Sequence, residues 1–245
     1  MLRKAVFLIS AMLLASSMAF AAVVTERGLS QPLDTWTSPE GVVFTQGGEK
    51  GQGTGVFEPF VRLAAKGTER GYNTDYRLLE YDEYSAANWT HALLLSDVPT
   101  RMLGGVLYRE IRLDINESGG NKSFLSLDTI ELYETDDQNL HGYSSGWPMT
   151  PIYTLGDNYL KLDASLKGSS GLGGNDMAML IPDRLFTHSH PYLTLYSEFG
   201  SQYASNGGYE EWGVYRGETV PEPASLMSMA IGLTGLAGLA IRKRR

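Results

Sequence analysis

The clearest conformational signal in the chain is the stretch VLYREIRLDI, residues 106–115. Its apolar side chains Leu107, Ile111, Leu113 and Ile115 share one parity, and polar or charged side chains mostly alternate with them. A period of two residues predicts a β-strand with one buried and one wet face. The rest of the body shows no long stretch with a 3.6-residue period, so the chain is predicted to be all-β.

Other short segments between turn residues have the same character. They are residues 56–63, 76–81, 91–95, 123–135, 159–166, 177–181, 192–198 and 211–216. About nine short strands predict an antiparallel β-sandwich or jelly roll over residues 56–217. The apolar parity changes between Leu127 and Ile130, which predicts a β-bulge or short turn at Asp128-Thr129. Residues 22–55, rich in Gly, Ser, Thr and Pro, are predicted to be poorly committed to regular structure.

The N-terminus has the order of a secretory signal peptide. Arg3 and Lys4 precede an apolar run, and the segment ends in Ala19-Phe20-Ala21. This pattern predicts a signal peptide over residues 1–21 with cleavage after Ala21. A retained membrane helix is the alternative, and the short apolar run disfavours it.

A second apolar segment lies near the C-terminus. Residues 226–241 are 16 residues without a charge, or roughly 24 Å of helix. That length spans a hydrocarbon core of about 30 Å only if the bilayer thins or flanking side chains snorkel. We therefore expect a single transmembrane helix. Arg242, Lys243, Arg244 and Arg245 form a basic tail that the positive-inside rule places in the cytoplasm.

Charge and cysteine content exclude several functions. Residues 22–220 hold 14 Lys and Arg against 27 Asp and Glu, a net charge of −13. Such a body lacks the basic surface that nucleic-acid binding requires. It suits a soluble extracellular domain, or one that collects divalent cations. The chain has no cysteine, which excludes thiol catalysis and cysteine-ligated metals.

The C-terminal segments together resemble a known sorting signal. Residues 218–225 contain Pro221-Glu222-Pro223, which precede the apolar segment and the basic tail. This order resembles the PEP-CTERM sorting signal of exported bacterial proteins. The resemblance implies recognition by an exosortase, a precursor anchored in the inner membrane, and a final place at the cell surface or outside the cell. It also implies an association with exopolysaccharide or biofilm. A plain membrane anchor is the alternative.

The body carries a weaker resemblance to other precursors of this group. It is similar to them at residues 126–133, 195–200 and 205–212. The similarity implies a shared β-rich fold and no particular chemistry.

Aromatic residues supply the first candidate binding site. Trp36, Trp89, Trp147 and Trp212, with 14 tyrosines, can form a platform on which sugars stack, although core packing is the default for most of them. Trp147, in the loop Gly146-Trp147-Pro148, is expected to be the most exposed of the four. We therefore predict Trp147 as a candidate glycan contact.

Oxygen-bearing turns supply weak candidates for structural calcium. Asp114 and Asn116 begin one such turn, and Asp136-Asp137 form another. Neither has the pattern of an EF-hand. His188 and His190 have a spacing found in some metal sites, but no third ligand is evident and a polar loop is favoured. We expect no obligatory cofactor.

These features predict an exported surface or extracellular matrix protein that is structural or carbohydrate-binding. No G-x-S-x-G, Walker-type or H-E-x-x-H motif occurs in the chain, so we expect it not to be an enzyme. The alternative is a secreted glycan-active enzyme. It would require two carboxylates about 5–10 Å apart in an open cleft.

Overall fold

The computed structural model describes residues 24–47, 56–116, 124–166 and 176–216. The chain there is almost entirely strand and loop, with two short 3-10 helices at Leu95–Asp97 and Asp183–Leu185. The strands are β1 Thr25–Leu29, β2 Thr35–Thr37, β3 Val43–Gln46, β4 Val56–Leu63, β5 Lys66–Gly67, β6 Glu69–Tyr72, β7 Leu93–Leu94, β8 Thr100–Leu103, β9 Val106–Ile115, β10 Phe124–Thr135, β11 Tyr153–Thr154, β12 Asn158–Asp163, β13 Met177–Pro182, β14 Tyr192–Phe199, β15 Ser205–Asn206 and β16 Glu210–Arg216.

The strands form two large sheets and one two-stranded pair. Sheet A has the order β1-β12-β10-β14-β6, with β11 beside β10 and β7 beside β14. Sheet B has the order β2-β3-β13-β9-β16-β4, with β8 beside β9. Neighbouring strands run antiparallel except β1 and β12, which are parallel. The expectation of a wholly antiparallel fold is therefore wrong for this one pair. The all-β prediction is confirmed.

Both sheets contribute to one hydrophobic core. Ile111, Leu113 and Ile115 of β9 are buried, as their parity predicts, whereas Leu107 is 38% exposed and lies outside the core. Trp212 of sheet B donates a hydrogen bond through Nε1 to Ser197 Oγ of sheet A at 3.1 Å. A fully buried Leu or Ile stabilises the fold by about 1.5–3 kcal/mol relative to exposure.

The parity change in β10 is a β-bulge, as the sequence predicts. Leu127 pairs with Phe199 and Thr129 with Glu198, so Asp128 is the extra residue. Asp128 Oδ2 accepts hydrogen bonds from Ser126 Oγ at 2.9 Å and from the Ser201 backbone at 2.7 Å. The bulge keeps the apolar side chains on both sides of it in the core.

Two predictions about strands are wrong. Residues 24–47, within the segment expected to be poorly committed, contain β1, β2 and β3. These strands are short. Strand β1 pairs with β12 and β3 with β13, both distant in sequence, and β2 pairs with β3 at the edge of sheet B. Residues 76–81 form a loop rather than a strand. There Glu80 accepts a hydrogen bond from Tyr72 Oη at 2.5 Å instead of joining a sheet.

Both predicted end segments lie outside the described residues. They are the signal peptide with Ala19 and Ala21, and the C-terminal segments from 218 onward. Among the described residues, no helix has the length and apolar character needed to cross a bilayer.

Candidate functional site

An exposed aromatic group lies on the outer face of sheet B, along its edge strand β4. The loop between β6 and β7 bonds to that edge: the Tyr84 backbone N–H donates to Arg62 O at 2.8 Å, and the His91 N–H to Phe60 O at 3.0 Å. An edge strand needs such cover because its backbone groups would otherwise be open to other chains. The same loop brings Trp89 over the Arg62 side chain.

Arg62 organises this group. Its guanidinium carbon lies 3.1 Å from the ring centroid of Trp89, 4.9 Å from that of Tyr209 and 5.7 Å from that of Tyr84. Its Nε forms an ion pair with Glu211, which pairs with it across β4 and β16. Guanidinium groups favour such stacking because they are planar and weakly hydrated. We call Arg62, Tyr84, Trp89, Tyr209 and Glu211 the open aromatic site.

The rings of this site reach solvent although its charges are covered. Tyr84 is 43% exposed and Tyr209 is 40% exposed, and Trp89 is half-buried. The two tyrosine rings meet edge to face, with centroids 6.0 Å apart. By contrast, the Arg62 side chain is only 14% exposed and that of Glu211 is 8% exposed. A buried ion pair therefore supports a rim of exposed rings.

A second carboxylate lies next to the site. Asp114 of β9 is the cross-strand neighbour of Glu211, a relation that places the Cβ atoms about 4.5–5.5 Å apart. Burial raises the pKa of Glu211, and the Asp114 charge raises it further, while Arg62 opposes both effects. Both acids are largely buried, so this pair does not line an open cleft of the kind that glycoside hydrolysis requires.

Trp147 is buried, so the expectation that it is the most exposed tryptophan is wrong. It is 7% exposed, and its ring meets Tyr72, Tyr133 and Tyr143 edge to face at centroid distances of 4.9 to 5.1 Å. With Tyr196, stacked 3.8 Å from Tyr143, these residues form what we call the sealed aromatic cluster. A glycan contact through Trp147 stays a prediction, and it would require the ring to be uncovered.

The polar atoms of the sealed aromatic cluster form hydrogen bonds with neighbouring residues of the protein. Trp147 Nε1 donates to His141 O at 3.0 Å, and Tyr133 and Tyr143 both donate their hydroxyls to Glu131. Burial, with these carboxylate contacts, raises the pKa of both phenols well above the usual value. The hydroxyls therefore remain protonated donors across the physiological pH range.

A polar groove of about 570 Å³ adjoins the sealed aromatic cluster. It is lined by Thr68, Arg70, Glu80, Tyr81, Asp82 and Glu198. Arg70 is the one cation among these lining residues. Its guanidinium lies 4.5 Å from the Tyr81 ring centroid and is therefore already stacked on that ring. The groove offers no exposed apolar ring face beyond Tyr81.

The calcium candidates are not brought together. Asp114 lies on sheet B beside Glu211, whereas Asp136 and Asp137 follow β10 of sheet A. Asp137 Oδ1 accepts a hydrogen bond from the Asn139 backbone at 2.8 Å. The Asn116 N–H donates to Tyr209 O at 2.8 Å. Within the described ranges, no three acidic or histidine side chains are grouped so as to hold a metal ion.

The two histidines have different partners. His188 Nε2 lies 3.3 Å from Asp183 Oδ2, and His190 Nδ1 lies 3.1 Å from Asp136 Oδ1. Residues 187–191 form a loop rather than a strand. The favoured interpretation, a polar loop, agrees with this placement.

Comparison with known proteins identifies the C-terminus. Residues 219–245 match the PEP-CTERM protein-sorting motif. They include the predicted sorting residues Pro221, Glu222 and Pro223 and the basic tail, all outside the described residues. The motif implies an exported protein that reaches the cell surface from a membrane-anchored precursor by exosortase processing. Neither the curated proteins nor the solved structures contain a match to the chain.

Proposed function

We propose that this chain, which carries a PEP-CTERM protein-sorting motif at residues 219–245, is an extracellular matrix or surface protein that binds carbohydrate. Its body is a β-sandwich, and the open aromatic site is the binding surface. The ligand class is exopolysaccharide, with which proteins bearing this signal are associated. The chain acts by binding rather than by catalysis.

The observation that carries the proposal is a set of exposed rings held in place by a covered cation. Sugars present C–H faces that pack on aromatic rings and hydroxyls that bond to polar ring edges. Tyr84 and Tyr209 supply both, and Trp89 lies fixed against Arg62. Because rings already held in one arrangement lose little freedom on binding, such a site favours affinity.

The charge of the site narrows the ligand. Glu211 neutralises Arg62, so the site offers no unpaired cation to an acidic sugar. The body is strongly acidic, with a net charge of −13 for residues 22–220, and it repels polyanions at low salt. We therefore propose a neutral glycan in preference to an acidic one.

A glycan array tests the binding proposal, with the full chain in mild detergent as the probe. We expect a neutral oligosaccharide to bind, and binding to be lost in the variant that combines Tyr84→Ala and Tyr209→Ala. Phe124→Ala is the matched control, because Phe124 is also 40% exposed but lies on sheet A. An array without a bound glycan would overturn the proposal.

A glycan-active enzyme is the second and weaker candidate. Its acids would be the cross-strand pair of Asp114 and Glu211, and both are largely buried. An enzyme would cleave the bound oligosaccharide and lose that activity in Glu211→Gln and Asp114→Asn. Binding without cleavage by the unmodified chain would leave the binding proposal in place.

The sorting step has its own test. Glu222→Ala combined with Pro223→Ala removes the extended, charged handle that two prolines impose before the apolar segment. We expect mass spectrometry to find a shortened C-terminus for the unmodified chain only when the exosortase is present, and an uncut one for the variant. An uncut C-terminus in the unmodified chain would leave a plain membrane anchor.

A further inference from the structure

An apolar hairpin extends from sheet B. Strands β8 and β9 are joined by Gly104-Gly105, and residues 102–107 have the sequence MLGGVL, without one polar side chain. All four large side chains are exposed: Met102 by 64%, Leu103 by 44%, Val106 by 40% and Leu107 by 38%. We call residues 102–107 the hairpin tip.

The hairpin tip is apolar on both faces. Met102 pairs with Leu107, and Leu103 pairs with Val106. Paired residues share a face and successive residues alternate, so each face carries one of these pairs. Antiparallel strands at a protein surface usually keep one polar face. Gly104 and Gly105 have φ of 57° and 83°, as a tight type I′ turn requires, which keeps the tip narrow.

The C-terminal tail leaves the described structure at the same end of sheet B. In the antiparallel pairing of β16 with β9, Glu210 is opposite Ile115 and Gly213 opposite Arg112. Strand β16 therefore runs toward the hairpin tip and ends at Arg216, at about the level of position 109. From there the tip extends roughly 15 Å further, at about 3.4 Å per residue.

The tail is long enough for the tip to meet a bilayer. Nine residues, 217–225, lie between Arg216 and Leu226, where the predicted spanning segment begins. The distance from Arg216 to Leu226 is therefore at most about 36 Å when the chain is extended. Since that reach exceeds the roughly 15 Å of hairpin beyond Arg216, an anchored chain can bring the tip to the membrane surface. A shorter connection would have held the hairpin away from it or distorted the sheet.

We propose that the hairpin tip inserts into the bilayer interface while the precursor is anchored. Two residues per strand reach roughly 7 Å, which matches the depth of about 5–10 Å to which interfacial segments bury their apolar side chains. Arg101, directly behind the tip, has a side chain that is 38% exposed and lies 3.9 Å from Glu110 Oε2 in an ion pair. This side chain then lies at the depth of anionic headgroups. Lipid fits better than a protein partner, because lipid covers both faces of a narrow apolar tip at once.

The contact has a consequence for sorting. It orients the body so that the end of β16 at Arg216 faces the membrane that holds the precursor. The inference rests on the membrane-anchored precursor and is independent of the carbohydrate proposal.

A fluorescent probe at the tip tests the contact. The chain has no cysteine, so Leu103→Cys gives a single labelling site for an environment-sensitive dye. Leu33→Cys is the matched control: it is 60% exposed, and its N–H bonds to Gln46 O at 2.9 Å, at the end of sheet B opposite the tip. Both full-length proteins are reconstituted into vesicles of phosphatidylethanolamine and phosphatidylglycerol.

We expect dye emission at position 103 to shift to the blue and to be mostly lost when brominated lipids are used, whereas emission at position 33 is unchanged. Flotation of the vesicles separates the failures. If the chain does not float with the vesicles, the anchor fails and the contact is overturned with it. If it floats and the dye at 103 reports water, only the hairpin contact is overturned. A blue shift without quenching by brominated lipid means that protein covers the tip, and this also overturns the lipid contact.

Discussion

The open aromatic site and the sealed aromatic cluster are built from the same aromatic residue types, but the open site exposes its rings and the sealed cluster buries them. In the sealed cluster, Trp147 is covered by tyrosine rings and is 7% exposed. In the open site, the rings pack on Arg62, and Tyr84 and Tyr209 are 43% and 40% exposed. What lies beneath a ring decides its role: rings packed on rings build a core, while rings packed on one covered cation keep an edge or face free.

The two regions also treat charge differently. In the sealed cluster, two phenols share one carboxylate, because Tyr133 and Tyr143 both donate to Glu131. The open site pairs Glu211 with Arg62. Removing a ring from the sealed cluster should therefore lower the stability of the fold. Removing an exposed ring from the open site should lower the affinity for the ligand.

Trp147→Ala is expected to have the largest effect on stability. Removing a buried tryptophan costs about 3–5 kcal/mol in the free energy of unfolding, and the Trp147 hydrogen bond to His141 O is also lost. Urea denaturation measures this loss, with Trp147→Phe as the milder control. A loss below about 1 kcal/mol, typical of surface positions, would show that the cluster is not sealed.

Arg62→Met is expected to have the second largest effect, and it lowers both stability and glycan affinity. It leaves the Glu211 carboxylate buried without its cation, a change expected to cost about 3 kcal/mol of stability, and it frees the rings of the open site. We expect glycan affinity to fall as well. Adding Glu211→Gln should recover part of the stability and none of the affinity. Full recovery of affinity in the double variant would mean that Arg62 does not position the rings.

Tyr84→Ala combined with Tyr209→Ala is expected to leave stability nearly unchanged, within about 1 kcal/mol, because both side chains are at the surface. Glycan affinity should fall about tenfold or more, as for exposed aromatic contacts that dominate binding. Calorimetric titration measures the affinity, and urea denaturation measures the stability. Unchanged affinity with intact stability would place the ligand elsewhere.

The smallest expected effect is on the way the free energy of unfolding depends on pH, and it involves Glu211. Burial raises the pKa of Glu211 above its usual value of 4.5, although Arg62 opposes the shift. The folded state then binds the proton more tightly than the unfolded state, so the free energy of unfolding rises as pH falls through the raised pKa. This contribution is complete below about 4.5 and is lost as pH rises.

Glu211→Gln should therefore gain less stability than the unmodified chain on going from neutral pH toward 4.5, as measured by urea midpoints.

Glu83→Gln is the counterpart beside the sealed cluster, because burial also raises the pKa of Glu83. The hydrogen bond that the Tyr72 backbone donates to Glu83 at 3.1 Å opposes this shift. Burial is the larger cause, so the same sign is expected. A larger gain in either variant would contradict the direction of its shift.

The sequence predicted the parts of the fold that depend on local pattern. Strands β4 and β9 have the predicted bounds, and the bulge at Asp128 followed from a parity change between Leu127 and Ile130. The short strands β1 to β3 were missed. Strands β1 and β3 pair with β12 and β13, more than a hundred residues away, and β2 joins the sheet through β3.

The sequence could not show which tryptophan side chain is the more exposed to solvent. Trp89 follows Ala-Ala-Asn and Trp147 follows Ser-Ser-Gly, so both lie among small or polar residues and look alike locally. What separates them is tertiary: five aromatic rings converge in the sealed aromatic cluster, while Trp89 meets an arginine on an edge strand. A strand position with an isolated arginine, such as Arg62, was the available signal, and it is too common to be specific.

The most direct test of the account is one calorimetric comparison of the full chain in mild detergent, titrated with the neutral oligosaccharide selected on the array. We predict that the variant combining Tyr84→Ala and Tyr209→Ala loses binding, whereas folded Trp147→Phe binds like the unmodified chain. If Trp147→Phe loses binding and the tyrosine variant keeps it, the sealed aromatic cluster is the ligand site and the central claim is wrong.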